Sequence, residues 1–302
     1  MIGRHCFLYS LVVIATAACA PRDRAPAEAA VRISAGDGMF QTPESALHDP
    51  IGDVYLVANI NGGPLDKDDN GFISQVGPDG AVRAVKWVDG ASPEITLNAP
   101  KGMGLKGDTL FVADIDVVRL FHRGTGAPLG ERPVPGSSFL NDVAVGADGT
   151  VYVTDTGFRA GAQGFEPSGT AAVHRLEAAG ARAVIADTAL GGPNGIIVDG
   201  NTATVVTFGS GEILEIDVTT GRRTRTLPRP PGGQLDGVVR LADGSLLVSS
   251  WQGQALYRVR GDSYAVAVDS VEAPADIGYD AGRGRVLIPL FQANRLEIRS
   301  VR

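Results

Sequence analysis

One motif recurs six times along the chain and constrains its fold more than any other feature. Each copy opens with a polar residue after Pro, Leu or Ala and continues with a short apolar run, a turn containing Gly and a strongly apolar segment. The opening polar residues, separated by 57, 40, 53, 42 and 40 positions, are Glu44, Lys101, Asn141, Asn194, Asp236 and Asp276. Such intervals are typical of β-propellers, in which each repeat is one blade. The spacing therefore predicts six blades around a central channel.

The segments between these polar residues have the composition of β-strands. Runs such as residues 109–113 and 150–154 are rich in apolar and β-branched residues and are bounded by Gly or Asp. The last copy has room for about three strands, so we expect a strand at residues 31–35 to complete it and close the ring, leaving no open sheet edge. The predicted fold is all-β, a six-bladed propeller of four-stranded antiparallel blades. A β-sandwich, or two smaller β domains, is the alternative.

The first 30 residues resemble an export signal and a linker rather than part of a folded domain. An apolar stretch at residues 7–18 is too short for a permanent transmembrane helix. Small residues precede Cys19, as in the lipobox of bacterial lipoproteins, although Thr16 stands where Leu is usual; ordinary secretory cleavage is the alternative. We therefore predict a lipoprotein signal peptide at 1–18, lipidated Cys19 with a flexible tether at 19–30, and the propeller at 31–302.

This organisation predicts a protein of the cell envelope, anchored by lipid to a membrane on its periplasmic or other extracytoplasmic side. Cys6 and Cys19 are the only cysteines, so the predicted propeller has neither disulfides nor thiolate metal ligands. The formal net charge of −7 argues against a nucleic-acid partner, which requires a basic surface. The expected partner is a small-molecule substrate, and the oligomeric state stays open.

Polar residues at the repeat position predict a metal site. The innermost strand of each blade lines the channel, so the residue that opens it points into one channel end. Buried carboxylates without partners are costly, and a bound cation would compensate them. The oxygen donors suit a hard divalent cation, Ca²⁺ first, with Mg²⁺ or Zn²⁺ as alternatives. The candidate ligands are Glu44, Asn141, Asn194 and Asp236. In isolation the Asn-Gly and Asp-Gly pairs at 194–195 and 236–237 also fit turns.

The motifs, taken in chain order, resemble those of the senescence-marker-protein/gluconolactonase (regucalcin-like) family. The likeness covers residues 40–302 and rests on Glu44-Ser45-Ala46-Leu47-His48-Asp49, Leu140-Asn141-Asp142-Val143-Ala144, Pro193-Asn194-Gly195 and Leu235-Asp236-Gly237. It implies that Glu44, Asn194 and Asp236 bind a divalent metal on the propeller axis and that Asn141 contacts metal or substrate. Characterised members hydrolyse sugar lactones, and relatives hydrolyse phosphoesters. Sugar lactonases often have Arg where this chain has Phe139.

The resulting hypothesis is a divalent-metal-dependent hydrolase of a lactone or ester. The cation would polarise the carbonyl and acidify a water molecule. Asp236 or Asp142 would act as general base, with Asp236 favoured, and Lys101 and Asp142 would contact the substrate. Phe208 and Trp251, like Phe291, are candidates for the pocket wall. One alternative is a non-catalytic propeller that binds a ligand or a protein; another is a strictosidine-synthase-like propeller, for which no amine-activating Glu can be assigned.

Two further patterns in the sequence have simpler interpretations than a functional site. Residues 66–71 match the first half of a calcium-binding loop, D-x-D-x-N-G, but the twelfth position is Gly77 rather than Glu. A polar hairpin turn in blade 1 is the simpler interpretation, and a loop at the channel mouth is the alternative. His48, His122 and His174 lie on predicted strands or turns away from the motif loops, so the sequence does not indicate a Ser-His-Asp triad.

Overall fold

A computed structural model of the protein describes residues 1–2, 31–162, 164–178 and 180–301. Residues 32–300 form six four-stranded antiparallel sheets that succeed one another around a ring. The predicted six-bladed propeller is confirmed. The predicted signal peptide beyond Ile2, the lipidated Cys19 and the tether lie outside the described residues. Within the described part of the chain, no helix is long and apolar enough to cross a membrane.

The strands follow one another in chain order from the inside of each blade to its outside. After β1 (Arg32–Ala35), blade 1 contains β2 (Pro43–Asp49), β3 (Val54–Asn59), β4 (Phe72–Val76) and β5 (Val82–Asp89). Blade 2 contains β6 (Pro100–Lys106), β7 (Thr109–Asp114), β8 (Val117–His122) and β9 (Pro128–Pro133). In blade 3, β10 (Leu140–Val145) and β11 (Val151–Asp155) precede an inserted hairpin, β12 (Phe158–Gly161) and β13 (Gly164–Pro167), and β14 (Ala172–Glu177) and β15 (Gly180–Ala186) follow it.

The second half of the ring repeats this order. A 3₁₀ turn at Thr188–Leu190 leads into blade 4, with β16 (Pro193–Asp199), β17 (Thr202–Thr207), β18 (Ile213–Asp217) and β19 (Arg222–Leu227). Blade 5 contains β20 (Leu235–Arg240), β21 (Leu246–Ser250), β22 (Ala255–Arg260) and β23 (Ser263–Val268). Blade 6 contains β24 (Gly278–Asp280), β25 (Arg285–Leu290) and β26 (Arg295–Ser300), and β1 is its outermost strand.

The two ends of the propeller close the ring, as the sequence predicted. Strand β1 pairs antiparallel with β26, from Arg32 opposite Arg299 to Ala35 opposite Leu296. Ala35 packs with Leu296 and Ile298 in one buried cluster. The edge of blade 6 is thereby covered by a strand from the other end of the chain.

The core consists of apolar side chains packed between neighbouring blades. Successive residues of a strand point to opposite faces: on β3, Leu56 packs in a cluster with blade 2, whereas Tyr55 and Val57 pack in a cluster with blade 6. Because both faces are buried, these strands read as continuous apolar runs rather than alternating ones. Each fully buried side chain of this size contributes about 2 kcal/mol through the hydrophobic effect.

A β-bulge shapes the entrance of the innermost strands. On β10, Leu140 is opposite Asp155 and Val143 is opposite Val153, so three steps on the inner strand match two on its partner. One extra residue on the inner strand also occurs in β2, β6, β16 and β20. A bulge redirects the side chain of the extra residue. In each of these five blades, the polar residue that opens the repeat lies in this bulge.

The glycines that follow the polar residues serve close packing rather than turns. Gly195 and Gly237 lie inside strands, and neither has a positive φ. A Cβ atom on Gly195 would collide with the backbone oxygen of Asp236, and one on Gly237 with the backbone nitrogen of Ile277. The turn interpretation of these two pairs is therefore wrong: glycine is required because the innermost strands of adjacent blades nearly touch.

Candidate metal and substrate site

Five of the six predicted polar residues line one cavity at one end of the channel. The cavity has a volume of about 460 Å³, within the range of small-molecule sites. Its polar floor is formed by the bulge residues of five blades: Glu44, Lys101, Asn141, Asn194 and Asp236. The four predicted metal ligands are thus brought together, and Lys101 lies beside them.

The prediction for the sixth position, Asp276, was off by one residue. Pro274 pairs with Leu290, the last residue of β25, as Leu140 pairs with Asp155 at the end of β11. The residue equivalent to Asn141 is therefore Ala275, and Asp276 is equivalent to Asp142. The sequence alone could not reveal this difference. Asp276 is an acidic residue only one position after the expected one, in a segment that otherwise resembles the other repeats.

Hydroxyl groups on the second strands support the same alignment. Thr154 accepts a hydrogen bond from the backbone nitrogen of Asp142 at 2.9 Å and donates to the backbone oxygen of Asn194 at 2.7 Å. Ser249 makes the equivalent pair of bonds to Gly237 and Ala275, both at 2.8 Å. Each hydroxyl links the bulge of its own blade to that of the next, so neighbouring ligand positions are held together.

Four oxygen atoms of the cavity floor are buried and have no hydrogen-bond partner. They are Glu44 Oε2, Asn141 Oδ1, Asn194 Oδ1 and Asp236 Oδ1. Buried polar atoms are normally paired, and an unpaired one typically costs about 1–3 kcal/mol. One such oxygen from each of four blades is thus left without a partner in a cavity that all four residues line.

The surroundings of the Glu44 and Asp236 carboxyl groups disfavour their charged forms. Burial raises the pKa of Glu44 well above its usual value, and the nearby Asp236 raises it further. Burial also raises the pKa of Asp236, while the Trp251 indole lowers it. The indole Nε1 faces this carboxyl but does not reach hydrogen-bond geometry. A divalent cation would remove this cost by favouring the charged forms.

Asn141 is oriented by its neighbour Thr156. The amide nitrogen of Asn141 donates to Thr156 Oγ1 at 3.1 Å, and the hydroxyl donates to the backbone oxygen of Pro193 at 2.7 Å. Because Nδ2 is engaged, Oδ1 is the amide atom left to the cavity. Thr156 follows β11 directly and was not predicted; no motif distinguishes it from other threonines at strand ends.

Lys101 places a cation beside the carboxylates. Its side chain is 1% exposed, and Nζ donates to the backbone oxygen of Ala99 at 2.8 Å. Burial lowers the pKa of Lys101 to about 8, although Glu44 and Asp114 oppose the shift. Nζ also lies 4.9 Å from the centre of the Phe139 ring. An ammonium has three donors. Ala99 uses one of them, so Lys101 has others available for the substrate contact that the sequence predicted.

Asp142, predicted to contact substrate or act as base, does not line this cavity. Its two carboxylate oxygens accept hydrogen bonds from the backbone nitrogens of Val143, at 2.6 Å, and Ile196, at 2.7 Å. Burial raises its pKa to about 6, against these bonds. Asp142 lines the opposite part of the channel with Asp276. The physical reason is strand alternation: if Asn141 points into the cavity, its neighbour points away.

The residues that follow the second strands form the cavity wall. The residue after β3, β11, β17, β21 and β25 lines the cavity in each case: Ile60, Thr156, Phe208, Trp251 and Phe291. Three consecutive blades therefore present an aromatic ring. The Trp251 ring centre lies 5.5 Å from that of Phe208 and 4.8 Å from that of Phe291.

A second aromatic group comes from blade 3. The inserted hairpin β12–β13 contributes Phe158 and Phe165, whose rings stack at 6.4 Å. The Phe139 ring meets Phe165 edge-on at 5.5 Å. All three line the cavity. Sequence analysis missed the hairpin because its strands have only four residues each, and the 53-position interval that contains it is shorter than the 57-position interval of blade 1, which has no such insertion.

The remaining sequence patterns lie outside the cavity floor. Asp66 accepts from the backbone nitrogen of Gly63 at 3.0 Å, and Asp68 accepts from the Asn70 amide at 2.6 Å. These residues connect β3 to β4 as the hairpin interpretation expected, and Gly62 and Pro64 of this segment border the cavity. His48 lines the other part of the channel, together with Asp142 and Asp276, and not this cavity.

The donor set fits a divalent cation of the hard type. Two carboxylate oxygens and two amide oxygens are the ligands that Ca²⁺ and Mg²⁺ prefer. No group of three or more His, Cys, Asp or Glu side chains that could hold a metal ion occurs among the described residues. A cation here would therefore depend on the amide oxygens of Asn141 and Asn194 as much as on the carboxylates.

Fold and site together define a six-bladed propeller with an oxygen-lined cavity at one end of its channel. A protein thought to be a gluconolactonase shares this fold with a TM-score of 0.65 at 17% sequence identity; the alignment covers 90% of this chain and 92% of the other. A luciferin-regenerating enzyme is similar at 12% identity, with a TM-score of 0.64, over 90% of this chain and 95% of its own.

A streptogramin B lyase also shares the fold, with a TM-score of 0.62 at 13% identity, over 90% of this chain and 98% of the lyase. No family model and no curated protein matches the sequence. At these identities the likeness concerns the fold alone. The gluconolactonase-like fold that the motifs predicted is thereby confirmed.

Proposed function

We propose that this protein is a divalent-metal-dependent hydrolase of a lactone or an ester. The observation that carries the proposal is the set of four unpaired buried oxygens, one from each of four blades, at the floor of a ligand-sized cavity. Glu44, Asn141, Asn194 and Asp236 would hold the cation, most simply Ca²⁺. When bound, it would supply Lewis acidity, polarising a carbonyl and making a water molecule more acidic. The resemblance to gluconolactonase motifs supports this assignment.

The residues of the chain supply the other parts of the reaction. Asp236, which would also hold the cation, takes the proton of the attacking water. The water oxygen bonds to the carbonyl carbon, the bond from that carbon to the leaving oxygen breaks, and the proton passes to the leaving oxygen. Lys101 Nζ stabilises the negative charge that develops on oxygen. The wall of apolar rings excludes water, which strengthens both interactions.

The first experiment tests whether the protein is an enzyme. The native protein should hydrolyse members of a panel of lactones and esters. Treatment with EDTA should abolish this hydrolysis, and added Ca²⁺ should restore it. If Ca²⁺ binds but no member of the panel is hydrolysed, the non-catalytic alternative holds, and the cavity binds a ligand without turnover.

The second experiment separates the roles of the two carboxylates. At saturating Ca²⁺, Glu44→Gln should retain most of its kcat, because its role is to hold the cation. Asp236→Asn should lose 100-fold or more under the same conditions, a usual size for a lost general base. Unchanged turnover in Asp236→Asn, with metal bound, would remove Asp236 from the base role.

The proposed location is the cell envelope, with a lipid on Cys19 as the anchor. The small residues before Cys19 and the apolar stretch before them support this. Replacing the thiol in Cys19→Ser should abolish incorporation of labelled palmitate and move the protein from the membrane fraction to the soluble fraction. A variant that stays lipidated and membrane-bound would contradict the assignment.

A further inference from the structure

The cavity wall is unusually apolar for a site expected to take a sugar lactone. Six aromatic side chains line it, in two groups, which are Phe139, Phe158 and Phe165, and Phe208, Trp251 and Phe291. Ile60 and Pro64 add further apolar surface. The polar side chains other than the floor are Thr42, Thr156 and Gln234.

These three polar residues offer a polyhydroxylated ring little beyond the single hydroxyl of Thr42. The Thr156 hydroxyl is already bonded to Asn141 and to the backbone of Pro193. Gln234 is exposed, so water competes with any ligand for its amide. A sugar hydroxyl placed against the aromatic wall would lose its water without gaining a partner, at about 1–3 kcal/mol for each group. The wall therefore disfavours a polyol and favours a flat apolar group.

The two aromatic groups are also built in different ways. Phe208, Trp251 and Phe291 occupy the same position in blades 4, 5 and 6, directly after the second strand, so rigid blades hold them. Phe158 and Phe165 belong to the inserted hairpin, and Phe165 remains 53% exposed. A large, exposed aromatic ring at the mouth of a cavity, stacked on a second ring, is a surface that a ligand ring would cover.

We propose that the substrate carries an aromatic ring on its lactone or ester, and that the hairpin phenylalanines bind this ring above the polar floor. The proposal rests on the hydrolase function proposed above and specifies its substrate class. The floor holds the carbonyl, and the ring lies between the two aromatic groups. Phe165 is the specificity-determining residue most open to test, because it is exposed and lies on the inserted hairpin rather than in a blade.

Two six-membered lactones make a matched test of the class. Dihydrocoumarin has an aromatic ring fused to the lactone, whereas D-glucono-1,5-lactone has hydroxyl groups on it. For the full chain with Ca²⁺, kcat/KM for dihydrocoumarin should exceed that for the gluconolactone by 100-fold or more. Equal or better hydrolysis of the gluconolactone would overturn the inference while leaving the hydrolase function intact.

The role of the hairpin is tested by Phe165→Ala. We expect KM for dihydrocoumarin to rise about tenfold with kcat nearly unchanged, because the substrate ring loses an aromatic contact together with the area that it buried. For δ-valerolactone, a bare ring of the same size, KM should stay within about twofold, since little is lost with so small a ring. Tyr264→Ala is the control: Tyr264 is an aromatic residue of similar exposure on β23, outside the cavity. An unchanged dihydrocoumarin KM in Phe165→Ala would contradict the proposal.

A binding measurement keeps the inference testable if no lactone is hydrolysed. Trp251 and Trp87 are the only tryptophans, and Trp87 lies on β5. In Trp87→Phe, emission comes from Trp251 alone, and dihydrocoumarin should quench it saturably when Ca²⁺ is present. Saturable quenching that weakens in Phe165→Ala would support the aromatic site although the hydrolase proposal had failed. Absence of quenching would overturn the aromatic site.

Discussion

At the scale of single residues, the site is explained by which atoms are paired and which are not. The Asn141 amide nitrogen is bonded to Thr156, so its oxygen is left for the cavity. The Asp142 carboxylate is bonded to two backbone nitrogens and does not line the cavity. The two adjacent polar residues look interchangeable in the sequence. Their separate roles follow from the bulge and strand alternation, which sequence reasoning had no means to locate.

The first residue-scale prediction concerns Thr156. Thr156→Val keeps the shape of the side chain but leaves the Asn141 amide without its partner, so the amide is free to rotate. Loss of such an orienting bond typically weakens metal binding by about tenfold or more. Calorimetric titration with Ca²⁺ should show this loss, and Thr156→Ser, which retains the hydroxyl, should bind nearly as the native protein does. Native affinity in Thr156→Val would contradict the orienting role.

The second residue-scale prediction concerns pH and His174. This residue lies on β14, its Nε2 is buried without a partner, and burial lowers its pKa despite the opposing charge of Asp155. The unfolded chain then binds the proton more readily, so this residue contributes a loss of stability as the pH falls below about 6.5, the ordinary pKa of histidine. Urea unfolding at pH 7.5 and pH 5.0 should show a smaller acid-induced loss in His174→Gln than in the native protein. An equal loss would contradict the assignment.

At the scale of elements, the innermost strand of each of the first five blades combines a polar residue, a bulge and, in three of them, a glycine. The bulge turns the polar side chain into the cavity, and Gly102, Gly195 and Gly237 let the next blade approach. The sequence predicted the strands and their order, because apolar runs between Gly and Asp are strong strand signals. It did not predict the bulges, which leave no composition signal, nor the hairpin β12–β13. The error at Asp276 came from this gap.

The element-scale prediction tests the close approach of the strands. Gly195→Ala places a methyl group against the backbone oxygen of Asp236, which cannot move without shifting β20. We expect a loss of about 3 kcal/mol in the free energy of unfolding, typical of overpacking against rigid backbone. Gly124→Ala is the control, because its nearest contact would be 3.5 Å away on the His122 side chain; it should change stability by less than about 0.5 kcal/mol. Equal effects of the two substitutions would contradict the packing argument.

At the scale of the whole molecule, six blades are needed to make one site. No blade contains more than one of the four unpaired oxygens, and ring closure by β1 fixes the positions of the blades that carry them. The repeat spacing predicted this architecture because each repeat is one supersecondary unit. It also predicted which residues would line the cavity floor, except in blade 6, but it wrongly placed Asp142 at the substrate. The aromatic character of the wall was foreseen only for Phe208, Trp251 and Phe291, since the other rings depend on the inserted hairpin and the loop before β10.

The central claim is that side chains from four blades bind one divalent cation. The most direct measurement is calorimetric titration of Ca²⁺ into the full chain after treatment with EDTA, with Glu44→Gln measured beside it. The account predicts one Ca²⁺ bound per chain, with an affinity at least tenfold weaker in Glu44→Gln. Absence of binding in the native protein, or the same affinity in Glu44→Gln, would contradict it.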